Sequence, residues 1–112
     1  MKELQHSIQQ FAKEREWQGF HSPKNLVMAL SVEVSELMEY FQWLTEDESR
    51  NLDTKRRNEV KDEIGDVMIY LANLCHKLDI DPILAAKQKL EKAKERYPVE
   101  KAKGRATKYT DL

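Results

Sequence analysis

Residues 26–44 are the most apolar stretch of the chain, and they contain two glutamates where an apolar helix would normally carry none. The stretch reads LVMALSVEVSELMEYFQWL and fits one long helix that is apolar on most of its circumference. A helix places Glu33 and Glu36 side by side on one face. Leu37 and Tyr40 flank them, so both carboxylates project from an apolar surface.

The same arrangement recurs thirty residues later. Glu63 and Asp66 repeat the spacing, and Tyr70 follows Glu63 at the offset at which Tyr40 follows Glu33. One such pair is weak evidence in a chain with 20 acidic residues, because short motifs arise by chance. Two pairs, each inside an apolar helix and each followed by a tyrosine, indicate a common role.

The composition favours long helices. The 112 residues predict a single domain over 1–112, and only three glycines and three prolines are present, which is few for a many-turned β structure. We therefore predict an all-α fold. Four helices are expected, over residues 3–18, 23–44, 54–78 and 82–96.

Local signals place the ends of these helices. Ser-Pro at 22–23 and Asp-Pro at 81–82 each supply a capping residue followed by a proline at the first helical position. Thr54 is a candidate cap for the third helix. Residues 45–53 are predicted to be a surface loop or a short turn of helix, and the tail 99–112 has no clear periodicity.

Charge and hydropathy limit the classes of partner that the protein is expected to bind. A net charge of −1 gives no global field for a nucleic-acid polymer or an anionic membrane. No apolar run reaches the ~20 residues of a membrane span, and the first residues lack the apolar core of a signal peptide. Cys75, the single cysteine, is predicted to be a small buried hydrophobe in a reducing setting. We expect a cytoplasmic protein.

The second and third helices are apolar on more sides than one or two neighbours can cover. A monomer would leave that surface exposed to water. The simplest remedy is a second copy of the chain, so we predict a homodimer in which these helices pair into a bundle.

Four carboxylates on facing helices require either raised pKa values or a bound cation. Ligation by oxygen alone favours Mg²⁺ or Mn²⁺ over zinc, and such an ion commonly shares its ligand shell with substrate phosphates. The aromatic residues Trp17, Trp43 and Tyr70 offer a stacking surface for a base. In the basic tail, Lys108 and Tyr109 are candidates for contacting phosphates or closing the site.

Each of these residues also has an ordinary structural interpretation. The glutamates fit a solvated helix face, the tryptophans fit a core or an interface, and the tail fits a solvated extension. Tyr40 and Met38 are most simply packing residues.

The combined pattern resembles a known family. Glu-x-x-Glu on one helix and Glu-x-x-Asp-x-x-x-Tyr-Leu on the next is typical of the all-α nucleoside triphosphate pyrophosphatases, the MazG-like superfamily. Three further segments are similar to its dCTP pyrophosphatase branch: FHSPKNL at 20–26, EYFQW at 39–43, and RYP at 96–98 with KYTDL at 108–112. The resemblance extends from about residue 3 to the last residue.

The resemblance implies particular roles for particular residues. It implies four catalytic metal ligands: Glu33, Glu36, Glu63 and Asp66. It implies substrate contacts from the segment Trp17–His21, and from Trp43 and Tyr70. It also implies tight dimers that pair into tetramers, with sites built where protomers meet. One position departs from the pattern, because Ile8 stands where the animal enzymes of this branch carry a polar residue that contacts the substrate.

The function that the resemblance implies is a magnesium-dependent hydrolysis of nucleoside triphosphates between the α and β phosphates. The products are a nucleoside monophosphate and pyrophosphate, and the expected substrate is dCTP or a modified dCTP, as in nucleotide-pool housecleaning. Two alternatives stay open. One keeps the chemistry with a different or broad nucleotide specificity, and the other is a non-catalytic helical dimerisation module.

Overall fold

The computed structural model of the protein describes residues 1–111, apart from the side chain of Tyr109, and every regular element in that range is a helix. The all-α prediction is therefore confirmed. The α-helices are α1 (Lys2–Glu14), α2 (Pro23–Glu39), α3 (Glu46–Arg50), α4 (Thr54–Lys77), α5 (Pro82–Arg96) and α6 (Val99–Ala102). Short 3₁₀ helices occupy Gln18–Phe20 and Tyr109–Asp111.

The chain divides into two compact units, Met1–Ile80 and Asp81–Leu112. In the first unit, α4 packs against both α2 and α1. The second unit contains α5, α6 and the short helix that follows them. A single domain over 1–112 stays a prediction. Among residues 1–111, no helix combines the length and the apolar character needed to span a lipid bilayer.

The core of the first unit is formed by α1, α2 and α4. Its buried apolar side chains are Ile8, Ala12, Leu26, Val60, Ala72 and Cys75. Two of them are alanines with no exposed surface, and such small side chains allow helix axes to approach closely. The prediction that Cys75 is buried is confirmed.

Three long helices begin at side-chain caps, two of them as predicted. Ser22 Oγ accepts a hydrogen bond from the Asn25 amide at 3.2 Å, and Asp81 Oδ1 accepts from the Ile83 amide at 2.9 Å. The cap of α4 is Asp53, not Thr54, because the Asp53 carboxylate accepts from the Arg56 amide at 2.7 Å. An ionised carboxylate at a helix N-terminus also meets the positive end of the helix dipole.

The second helix is shorter than predicted. It ends at Glu39 rather than at residue 44, and residues 40–43 form hydrogen-bonded turns. The residues that follow explain the early end. Tyr40-Phe41-Gln42-Trp43 is rich in aromatic residues of modest helix propensity, and Thr45 has the extended backbone of a helix cap, with ψ of 166°. Trp43 is therefore not carried on a straight helix beyond Glu36.

The predicted loop at 45–53 contains the short helix α3. A reciprocal pair of hydrogen bonds begins it: the Glu48 amide donates to Thr45 Oγ1 at 3.2 Å, and the Thr45 amide donates to Glu48 Oε1 at 2.9 Å. This capping box satisfies two amides that would otherwise lack partners. The Thr45 amide also lowers the pKa of Glu48, because it stabilises the carboxylate.

The first helix ends four residues before the predicted position, at Glu14. Glu16 has a left-handed backbone with φ of 56°. The Trp17 amide reaches back to the Ala12 carbonyl at 2.9 Å and the Glu16 amide to the Lys13 carbonyl at 3.1 Å, which is a Schellman ending. Glycine usually occupies the left-handed position, so the residue types around Glu16 do not mark this helix end.

Replacing Glu16 by glycine is expected to stabilise the protein. A side chain in the left-handed region costs about 1–2 kcal/mol, part of which the greater chain entropy of glycine offsets. Glu16→Gly should raise the free energy of unfolding by about 0.5–1 kcal/mol in urea titrations. The matched change Glu14→Gly, inside the last helical turn, should lower it by about as much. Equal losses from both changes would contradict this account.

Candidate metal centre and adjoining pocket

Three glutamates from two packed helices meet at one point. Glu33 and Glu36 project from α2 and Glu63 from α4, and one carboxylate oxygen of each lies within 4.8 Å of the others. The spacing within α2 places the first two together, and the packing of α2 on α4 brings the third. The structure therefore unites three of the four predicted ligands. We call these three residues the glutamate cluster.

Asp66, the fourth predicted ligand, lies one turn beyond Glu63 on α4 and is exposed. It is not part of the group of converging oxygens found within residues 1–111. Its negative charge nevertheless contributes to raising the pKa of Glu33. A ligand role for Asp66 stays a prediction.

The cluster is electrostatically unfavourable when all its members are ionised. Hydrogen bonding with the Glu63 carboxyl raises the pKa of Glu33, and burial and the charge of Glu63 add to this effect. The Glu33 carboxyl in turn raises the pKa of Glu36, by hydrogen bonding and by its charge. Such hydrogen bonds need a proton, since two ionised carboxylates can only accept. Either a proton or a cation must therefore lie between these groups.

Two oxygens in the cluster favour the cation. Glu63 is only 8% exposed, and with the carboxyls ionised Glu33 Oε2 and Glu63 Oε1 are buried without a hydrogen-bond donor among the described residues. The ion pairs identified among residues 1–111 involve none of the three glutamates. An unpartnered buried carboxylate oxygen is costly. An all-oxygen set without histidine or cysteine fits a hard divalent cation.

A pocket of about 90 Å³ opens between α1, α4 and the segment that joins α1 to α2. Its walls are largely apolar and aromatic: Ile8, Phe11, Trp17, His21, Ile69, Tyr70 and Asn73. Three of the residues predicted to bind substrate are among them, namely Trp17, His21 and Tyr70. Ile8, the position that departs from the family pattern, also lines this pocket.

The aromatic wall of the pocket is held by contacts that the sequence analysis missed. The Phe11 and Trp17 rings meet edge to face, with centroids 5.6 Å apart and planes at 75°. On Phe11 lies the Arg15 guanidinium, 3.8 Å from the ring centroid. Phe11 and Arg15 are four residues apart on α1, a spacing that allows such a contact. The arrangement orients Trp17 at the edge of the pocket.

The polar side of the pocket centres on Asn73, which the sequence analysis also missed. Asn73 is 2% exposed; it accepts a hydrogen bond from Gln9 at 2.8 Å and contacts His21 Nδ1 at 3.3 Å. A signal was available, because Asn73 occupies in the repeat the position that Trp43 holds in the first copy. Burial lowers the pKa of His21, and the charge of Lys77 lowers it further.

The remaining predicted substrate contacts lie elsewhere. Trp43 is 87% exposed, follows the end of α2, and does not line the pocket. Lys108 is exposed in the second unit. The side chain of Tyr109 lies outside the described residues. The substrate roles of these three residues stay predictions.

Comparison with known proteins gives consistent matches. A sequence model of the MazG-like family matches residues 28–112. The dCTP pyrophosphatase 1 proteins of Rattus norvegicus and Homo sapiens are 42% and 40% identical over 105 residues. Each alignment covers 92% of this chain but 62% of the relative, so the chain spans less than two thirds of their length. The crystal structure of a pyrophosphatase from Archaeoglobus fulgidus DSM 4304 superposes with a TM-score of 0.82 at 44% identity, covering 88% of this chain and 92% of that one.

The raised pKa of Glu33 predicts how stability depends on pH when metal is chelated. The folded state binds this proton more tightly than the unfolded chain does. The free energy of unfolding should therefore fall as pH rises from the ordinary glutamate pKa through the raised folded value. Glu33→Gln should flatten that fall. Urea unfolding in the presence of a chelator, at pH values below and above these two pKa values, measures the change in the free energy of unfolding.

The exposed Glu95 of α5 provides the matched control for this experiment. Glu95→Gln should keep the wild-type pH profile. Parallel plots of unfolding free energy against pH for wild type and Glu33→Gln would contradict the raised pKa of Glu33.

Proposed function

This chain belongs to the MazG-like family, and from that membership we propose that it is a nucleoside triphosphate pyrophosphohydrolase dependent on a divalent metal ion. The proposed substrate is dCTP or a modified dCTP. The observation that carries the proposal is the glutamate cluster, whose unpartnered buried oxygens lie on the same helix pair as an aromatic pocket. The names of the curated relatives, dCTP pyrophosphatase 1, support the choice of nucleotide.

The proposed metal ion is Mg²⁺, with Mn²⁺ as a substitute. Glu33, Glu36 and Glu63 would hold it, and Asp66 is the proposed fourth ligand. When bound, such an ion neutralises charge on phosphate oxygens and lowers the pKa of a ligated water. The protein supplies carboxylates fixed on two packed helices, so the ligand set exists before the ion binds.

The proposed reaction is hydrolysis at the α phosphorus. A water oxygen bonds to that phosphorus, the bond from it to the bridging oxygen breaks, and pyrophosphate leaves with the electron pair. Because the pyrophosphate carries away the β and γ phosphates together, the nucleotide product is a monophosphate.

The pocket is the proposed site for the base. Tyr70 lies seven residues beyond Glu63 on the continuous α4, which is about 10 Å along the helix and comparable to the reach from a triphosphate to its base. The pocket, of about 90 Å³, combines apolar walls with the polar groups of His21 and Asn73, a lining that suits a nucleobase. Trp17 and Tyr70 provide aromatic surface for stacking, and His21 provides a polar group.

The predicted contacts outside the pocket complete this proposal. Trp43 is proposed to contact the nucleotide, and Lys108 and Tyr109 its phosphates. Ile8 gives a specific reason to keep the alternative of a different or broad nucleotide preference. Its apolar side chain lines the base pocket where a polar contact to the base would otherwise be made.

Analysis of products tests the reaction directly. Incubation of a panel of nucleoside triphosphates with Mg²⁺, followed by ³¹P NMR, should show a monophosphate and pyrophosphate, with dCTP among the fastest substrates. Glu63→Gln should lower kcat/KM at least about 100-fold, since it removes part of the charge that organises the site. Mg²⁺ alone should raise the melting temperature of wild type more than that of the variant.

Glu95→Gln is again the control, and it should match wild type in turnover and in its response to Mg²⁺. Orthophosphate with a nucleoside diphosphate as products would overturn the proposed bond cleavage. Normal turnover of Glu63→Gln would overturn the proposed metal centre.

We also propose that the protein is a homodimer, with a homotetramer as the open alternative. Eight apolar side chains on α2 and α4 are between 40% and 59% exposed: Val27, Met28, Val32, Val34, Met38, Ile64, Met68 and Ile69. Monomeric proteins seldom leave so much apolar side-chain surface in contact with water. A second copy of the chain would cover it.

Sedimentation velocity tests the dimer. Wild type should show no folded monomer at micromolar concentration, and Val34→Lys should shift the population toward monomer and lower the melting temperature. The control is Gln10→Lys on α1, which places the same charge on an exposed position near Glu14. A wild-type monomer with full activity would contradict the dimer.

A further inference from the structure

Four polar side chains form a continuous hydrogen-bonded chain that ends at the pocket. Lys77 Nζ donates to Gln9 Oε1 at 3.4 Å, and Gln9 Nε2 donates to Asn73 Oδ1 at 2.8 Å. The Asn73 side-chain amide then lies 3.3 Å from His21 Nδ1. These hydrogen bonds run from α4 to α1, back to α4, and then to His21, the residue before the cap of α2. We call this hydrogen-bonded chain the Lys77 relay.

The chemistry of Lys77 fixes the direction of every bond in the relay. An ammonium group can only donate, so the Gln9 amide must turn its oxygen toward Lys77 and its NH₂ toward Asn73. Asn73 must then present its oxygen to Gln9, which leaves its NH₂ facing His21. An amide NH₂ is only a donor. Nδ1 of His21 must therefore accept, and it carries no proton.

We propose that the Lys77 relay holds His21 as the neutral tautomer protonated at Nε2, which makes Lys77, Gln9 and Asn73 positioning residues for ligand recognition. His21 lines the pocket, and its hydrogen bond to the described residues is made through Nδ1. Nε2–H is then the donor that His21 offers to a ligand. A ligand must meet it with an acceptor, such as the carbonyl oxygen or unprotonated ring nitrogen of cytosine. A ring N–H in the same place is rejected.

Burial makes the relay resistant to reversal. Asn73 is 2% exposed, so a flipped amide would leave a donor facing a donor at a buried side chain, and such mismatches are costly. The charge state of His21 agrees, because burial and the Lys77 charge both lower its pKa and so favour the neutral ring.

One substitution two hydrogen bonds away from the imidazole tests the direction of the relay. In Gln9→Glu, the new carboxylate accepts from Lys77 and can no longer donate to Asn73. The Asn73 amide is then expected to flip, its oxygen faces His21, and the proton moves from Nε2 to Nδ1. Lys77 is a ready partner for the carboxylate, so the variant is expected to fold.

Gln5→Glu is the matched control. Gln5 lies one turn earlier on α1, and its amide donates to the Ala72 carbonyl of α4 at 3.1 Å. The same change of amide to carboxylate, between the same two helices but outside the relay, should leave the tautomer of His21 unchanged.

The readout is the ¹⁵N chemical shift of both ring nitrogens of His21, which distinguishes N–H from a bare nitrogen. The chain has three histidines, and a His21→Gln sample assigns the signals. At a pH where the ring is neutral, wild type and Gln5→Glu should carry the proton on Nε2, and Gln9→Glu should carry it on Nδ1. A wild-type proton on Nδ1, or an unchanged tautomer in a folded Gln9→Glu, overturns the inference.

The functional consequence rests on the proposed function and is measured separately. With dCTP, Gln9→Glu should raise KM about tenfold and change kcat less than twofold, while Gln5→Glu should leave both within twofold. An unchanged KM in a variant whose tautomer has moved overturns the recognition role. The NMR measurement requires no substrate, so a protein that hydrolyses no nucleotide refutes the proposed function and leaves the tautomer assignment standing on its own data.

Discussion

The meeting of like charges between α2 and α4 is the constraint that the rest of the first unit must accommodate. Glu33, Glu36 and Glu63 place oxygens within 4.8 Å of one another, and two of those residues have buried oxygens with no donor. The helices converge there because apolar packing between them and against α1 outweighs the repulsion. Three acids at such a point oppose stability unless a proton or a cation lies between them, and the cluster could hold a cation.

A single stripe of α4 links the elements of the site. Along one face, at alternating spacings of three and four residues, lie Glu63, Asp66, Tyr70, Asn73 and Lys77. In the proposed site this order would follow the parts of a nucleotide, with carboxylates for the metal ion at the phosphates first, then an aromatic ring and a polar group for the base. Because one helix carries all five, the distance from Glu63 to the pocket residues Tyr70 and Asn73 is set by helical rise and not by loops.

The sequence correctly predicted features that depend on residue spacing within one helix. The pairing of Glu33 with Glu36, the helix caps at residues 22 and 81, and the all-α class all follow from local periodicity and capping. It missed what depends on neighbours across helices, such as the contact of Gln9 with Asn73. It also missed the end of α1, because the left-handed backbone of Glu16, with φ of 56°, cannot be recognised from the residue type.

The Schellman ending of α1 has a consequence for how ligands are recognised. Trp17 follows the left-handed residue directly, and its amide is tied to the last turn of the helix. The indole is therefore not borne on a mobile loop that closes after a ligand arrives. A wall of this kind is preorganised, so little chain entropy is lost on binding. Movement of the Trp17 backbone away from the pocket would first break its hydrogen bond to Ala12 in the last turn of α1.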